Sequence, residues 1–171
     1  MSEEIINKVA LSPLVTIDLE VFYPKEEVVL FDLKPHLFME LILKEKDFRQ
    51  FVKENDWSQY EGKYVAIHCS EDAIVPNWAY MLLATAIAPF AKRVVFGDLS
   101  VLQTILFEEI IEKMDEEEYR DARIVVKGCS KRKVPTSAYV RLTEKLLPVV
   151  KSLMYGEACS SVPLYKQPRK K

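Results

Sequence analysis

Glycine is scarce in this chain: four residues in 171, at Gly62, Gly97, Gly128 and Gly156. Without a glycine-rich loop, backbone amides cannot crowd around a phosphate, so a nucleotide cofactor is not expected. Histidine is scarcer still, with two residues, which excludes a His-rich metal site and an HExxH helix. No GxSxG elbow occurs. The net charge of -2 leaves no electrostatic footprint for nucleic acid, and the basic runs Lys131-Arg132-Lys133 and Arg169-Lys170-Lys171 are short. No apolar run is long enough to span a bilayer. Met1-Ser2-Glu3-Glu4 is acidic and lacks a signal-peptide pattern. These absences predict a cytoplasmic chain with neither nucleic-acid nor membrane partners. Three cysteines are an odd number, and thiols stay reduced in the cytoplasm, so a disulfide framework is not expected.

What is present is a repeated phrase that uses every cysteine. Cys69-Ser70 is followed by Val75-Pro76, Cys129-Ser130 by Val134-Pro135, and Cys159-Ser160 by Val162-Pro163. The first two copies continue alike, through Ala79-Tyr80 and Ala138-Tyr139 to Pro89 and Pro148. A context shared by all the thiols makes them candidates for one shared site.

Short β-branched runs alternate with longer stretches of helical spacing. Strands are predicted at 28–31, 64–67, 93–96 and 123–126, each nearly all apolar, as parallel strands covered on both faces are. Helices are predicted from about 35 to 54, 76 to 88, 99 to 114 and 135 to 153. Residues 14–22 add a candidate edge strand. The expected fold is α/β, three-layered, with a mainly parallel four- or five-stranded sheet in one domain spanning 1–171. Aspartate ends the first and third strands (Asp32, Asp98), and Cys-Ser ends the second and fourth. That alternation suggests an internal duplication of residues 28–90 and 94–150, with strand order 2-1-3-4 or 1-2-4-3.

Ligands in open α/β sheets bind at the carboxyl ends of the strands, where strand order switches. That places Asp32, Cys69, Asp98 and Cys129 at a candidate site. Three thiolates suit zinc or an iron–sulfur cluster, so Cys69, Cys129 and Cys159 are candidate metal ligands. His68 is a candidate fourth, provided the strand ends there, and Asp32 and Asp98 are weaker candidates. A second reading makes one cysteine a nucleophile in an anion-binding loop, in a thiol-dependent enzyme or carrier. A third makes Cys69 and Cys129 small buried hydrophobes in a structural or interaction module, with the aspartates acting as turn or helix caps.

Three stretches carry a family resemblance: Leu41-Ile42-Leu43-Lys44-Glu45-Lys46-Asp47-Phe48-Arg49, Asp56-Trp57-Ser58-Gln59-Tyr60, and Ala73-Ile74-Val75-Pro76 through Thr85. With Val94-Val95-Phe96-Gly97-Asp98 and Lys127-Gly128-Cys129-Ser130, the chain resembles an uncharacterised bacterial family, domain of unknown function two-four-eight-zero, over nearly its whole length. The resemblance brings no established activity or catalytic residues. It implies a bacterial cytoplasmic protein and an association with iron–sulfur assembly proteins. The leading expectation is therefore a cysteine-ligated metal or iron–sulfur accessory protein.

Overall fold

The computed structural model describes residues 14–128, 131–157 and 159–168. Within them the chain is mixed α/β, with four α-helices and several sheets. The strands are β1 (Leu14–Asp18), β2 (Val28–Asp32), β3 (Leu37–Phe38), β4 (Ile42–Leu43), β5 (Tyr64–His68), β6 (Arg93–Phe96), β7 (Arg123–Lys127), β8 (Ser152–Glu157) and β9 (Ser160–Lys166). The helices are α1 (Glu45–Glu54), α2 (Asn77–Ile87), α3 (Leu99–Glu112) and α4 (Thr136–Leu146). The chain divides into two compact units: Pro24–Leu106, and the stretch up to Tyr23 together with the stretch from Phe107 onward.

The central unit, Pro24–Leu106, is built on a parallel sheet of order β2-β5-β6. The middle strand β5 is apolar on both faces because both faces are covered. Val65 and Ile67 pack with Phe48 of α1 and with Ala79, Leu83 and Ile87 of α2. Ala66, facing the other way, packs with Val95 and with Leu102 and Leu106 of α3. Helix α1 follows from its composition: Glu45 and Asp47 favour its first turn, and Lys53 its last. Helix α2 starts just after Pro76, whose carbonyl accepts from the Ala79 amide at 3.0 Å. Proline is tolerated at such a start because no helical N–H is required there.

The other unit carries a mainly parallel four-stranded sheet of order β1-β7-β8-β9, in which only β9 is antiparallel. The expected edge strand at the start of the chain is β1. Ile124 and Val126 of β7 pack with Ala138, Leu142 and Leu146 of α4 and with Phe107 and Ile111 of α3. Helix α3 thus supplies side chains to clusters in both units.

Neither expected strand order is found: β6 pairs with β5, and β7 lies in a different sheet from both. In the central unit the order runs straight from β2 through β5 to β6, so no switch of strand order arises there. The helix expected from about 35 begins only at Glu45. Before it, Lys34–His36 forms a short 3-10 turn, and β3 and β4 form a small hairpin. Met39 and Glu40, at the hairpin tip, both have positive φ, of 52° and 59°. The helix expected to reach 153 stops at Leu146, and β8 begins at Ser152.

Candidate functional site

The carboxyl edge of β2-β5-β6 gathers four of the six residues singled out from the sequence. Register pairs Asp32 with His68. β5 ends at His68, the condition under which His68 and Cys69 can serve the same edge. Asp98 follows β6 by two residues and precedes α3.

Asp32 is a tether. Its carboxylate accepts from the Lys34 amide at 3.0 Å, the Ser70 amide at 3.0 Å and the Ser70 hydroxyl at 2.6 Å. Partial burial works to raise the Asp32 carboxyl. The Ser70 hydroxyl and the two amides outweigh it, and the carboxyl titrates below the ordinary aspartate range. Asp98 caps α3, accepting from the Ser100 amide at 2.8 Å, the Ser100 hydroxyl at 2.7 Å and the Val101 amide at 2.9 Å. Its carboxyl is also lowered, first by the Ser100 hydroxyl and next by the Val101 amide. The His68 imidazole is near enough to both aspartates to favour their charged forms.

The loop from Cys69 to Val75 is held at three points. Ser70 is bonded to Asp32, Glu71 is ion-paired with Lys34, and the Ile74 amide donates to the Leu41 carbonyl at 3.1 Å. Cys69, at the root of this loop, is half-buried against the apolar cluster beneath it. Tyr80 is beside it: burial raises the Tyr80 phenol, and Cys69 adds to the rise. Tyr80 meets the exposed ring of Phe96 edge-on, with centroids 5.0 Å apart.

The equivalent edge of the other unit pairs Asp18 with Lys127 in register, their charged groups 3.5 Å apart. Cys129 and Ser130 lie outside the described residues. The flanking loop is also tied down: the Lys131 amide donates to the Glu20 carboxylate at 2.9 Å, and the Tyr23 hydroxyl donates to the Lys133 carbonyl. Cys159 is exposed in the turn of the β8–β9 hairpin. Its Cys-Ser phrase therefore joins two antiparallel strands, whereas the phrase at Cys69 joins a strand to a helix. Cys69 and Cys159 belong to different units.

Among the described residues, no group of three or more His, Cys, Asp or Glu is arranged to hold a metal ion. The carboxylates of Asp32 and Asp98 are occupied by protein donors. Sequence reasoning missed the ties that hold the Cys69 loop and the segment at Lys131, because Lys34, Glu71 and Glu20 are ordinary charged residues until the strands bring them to their partners. One signal was legible: Ile17-Asp18 repeats the apolar–aspartate ending of Phe31-Asp32.

No described helix is long and apolar enough to cross a membrane. No curated protein and no solved structure matches the chain. Residues 3–167 match the family described as Protein of unknown function (DUF2480), and the chain belongs to that family.

Proposed function

We propose that this is a thiol-dependent carrier or accessory protein, with Cys69 as the group that engages its ligand. The supporting observation is the construction of the Cys69 loop. Ser70 is tied to Asp32 at the end of β2, and Glu71 and Ile74 to the segment after it, so the thiol sits at the root of a preorganised loop on the carboxyl edge. Rigid support of a loop residue is what a binding or nucleophilic group requires, and a packing cysteine does not.

A cysteine-ligated zinc or iron–sulfur site, serving iron–sulfur assembly proteins, is the second reading. The adjacency of His68 to Cys69 at the strand end favours it. The two readings separate in one preparation made without air or chelator. Metal analysis finds stoichiometric zinc or iron if the second holds. If the first holds, Cys69 in metal-free protein alkylates faster than a cysteine in the urea-unfolded chain at pH 7. Slow alkylation together with absence of metal would sink both.

The two units also support a shared origin in duplication, with boundaries other than 28–90 and 94–150. Pro76 and Pro135 lie 59 residues apart (135 minus 76), each just before a helix. At the same spacing, Asp56 and Asp115 cap short 3-10 turns that end in Tyr60 and Tyr119. Gly62 and Asp121 both have positive φ, as do Gly97 and Gly156. Phe48 and Phe107 occupy the two cores. His68 and Lys127 share this spacing (127 minus 68), and their register partners are Asp32 and Asp18, so by strand pairing Asp32 corresponds to Asp18 and not to Asp98.

A further inference from the structure

The unit that carries β9 also holds a cleft of about 930 Å³, at the end of its sheet where β7 and β8 begin. It is walled by Met154, Pro163 and Tyr165, and its rim carries Arg123, Lys151 and Lys166 against the single carboxylate of Asp121. Lys151 and Lys166 are exposed, and neither ion-pairs with another described residue. The corresponding end of the central unit is different. There Lys92 pairs with Glu26, and Lys63 pairs with Glu27 at 2.7 Å, so the lysines are neutralised where they stand. Lys92 and Lys151 hold equivalent places, each donating its amide across to the adjoining strand entry, to Lys63 and Ala122 respectively, at 2.8 Å. The unit with the cleft has Ala122 in place of Lys63 and gains Lys166 from β9. Among the described residues, Lys151 and Lys166 therefore stand beside an apolar wall without the carboxylate partners that Lys63 and Lys92 have.

We propose that this cleft binds a small organic anion: a phosphate ester or carboxylate whose charged head meets Lys151 and Lys166 while its apolar body rests on Tyr165 and Met154. A cleft of this volume is of the size that takes a small molecule, and mixed apolar and polar lining is usual in such sites. Ammonium groups serve as point-charge anchors for phosphate. The site is separate from the cysteine loop, and its occupancy does not depend on any role of Cys69.

Phenyl phosphate, inorganic phosphate and benzyl alcohol serve as probes, titrated to about 10 mM against protein carrying ¹³C-methyl methionine. Phenyl phosphate is expected to shift the Met154 methyl saturably and to leave the Met81 methyl, in the other unit, unmoved. Inorganic phosphate should bind more weakly, and benzyl alcohol not at all. The double variant Lys151→Gln/Lys166→Gln should weaken phenyl phosphate about tenfold or more, whereas Lys92→Gln should leave it within about twofold. Both lysines are exposed, and an unchanged spectrum of the unliganded double variant verifies its fold. If the variant misfolds, the Met154 shift in the natural chain decides alone. No saturable shift at Met154, equal binding of benzyl alcohol, or full binding by the folded double variant would overturn the proposal.

Discussion

At the carboxyl edge of the central unit, charge is used mostly to hold the backbone. Asp32 accepts three donors, two of them from Ser70, and so fixes the first residue after Cys69. Because the folded-state carboxyl is held below its ordinary value, the tether stabilises the fold above the unfolded aspartate pKa, near 3.9, and is lost as pH falls through the folded value. Ser70→Ala removes the hydroxyl donor and keeps the amide. It should lower stability by about 1 kcal/mol at pH 7, the usual worth of one such bond. That difference should shrink at a second, acid pH below the folded-state pKa of Asp32, itself held under the ordinary aspartate range, where the carboxyl is protonated. Urea unfolding at the two pH values measures it; an equal loss at both would mean that Asp32 charge has no part in the tether. The same variant should alter the Cys69 alkylation rate, since one of the loop's three ties is weakened. His36 shows the opposite use of a titratable side chain. It stacks on Phe31 with centroids 5.7 Å apart, and burial lowers its pKa.

Among the elements, the strands were the most legible part of the sequence, and the reason is burial on both faces. A strand such as β5 must be apolar at every interior position, and Val65-Ala66-Ile67 has no other easy reading. The segment before α1 was misread because Leu37, Phe38, Leu41 and Ile42 sit at spacings that a helix face and a short hairpin share. The tip residues Met39 and Glu40 gave no warning, since neither is a residue that usually adopts positive φ. Strands β8 and β9 were missed for a related reason. Gly156 and Pro163 interrupt them, and both residues normally argue against a strand. The register shift between Leu153 and Met154 is how the pairing accommodates the irregularity. The site was legible in position, because Cys69 does lie at a strand exit, but not in construction. The tethers join residues 33 to 38 positions apart, which no local pattern records. Two glycines measure how tightly the strand ends are built, Gly62 before β5 and Gly97 after β6. Gly62 has φ +68° and open space around it, so Gly62→Ala should cost about 1 kcal/mol, from backbone strain alone. Gly97 has φ +133°, and a Cβ there would lie 2.7 Å from Val101 Cβ. Gly97→Ala should therefore cost more, about 2–3 kcal/mol. Thermal unfolding of the two variants side by side tests the order, and Val101→Ala should recover little of the Gly97→Ala loss, because alanine removes the two γ-methyls and keeps the Cβ that makes the closest contact.

For the molecule as a whole, α3 is the element that serves two cores. Leu102 and Leu106 pack in the central unit, and Phe107 and Ile111 pack in the other. Both tryptophans, Trp57 and Trp78, belong to the central unit, so tryptophan fluorescence reports on that unit selectively. Leu142→Ala empties a fully buried position of the other unit and should cost about 2–5 kcal/mol. A helix continuous through both cores should transmit that loss, so the fluorescence midpoint in urea should fall together with the far-ultraviolet circular dichroism midpoint. A fluorescence transition left in place would show that the units unfold independently. The division into two units was not legible in the sequence, because strand runs of similar composition do not state which sheet they join. The chain order of β1 has its own consequence for biosynthesis. Its first residue, Leu14, pairs with Arg123, 109 positions later (123 minus 14). At ordinary translation rates β1 waits roughly 5–20 s for its partner to be made, while the whole central unit emerges in between. The nascent chain thus carries an unsatisfied strand through most of its synthesis.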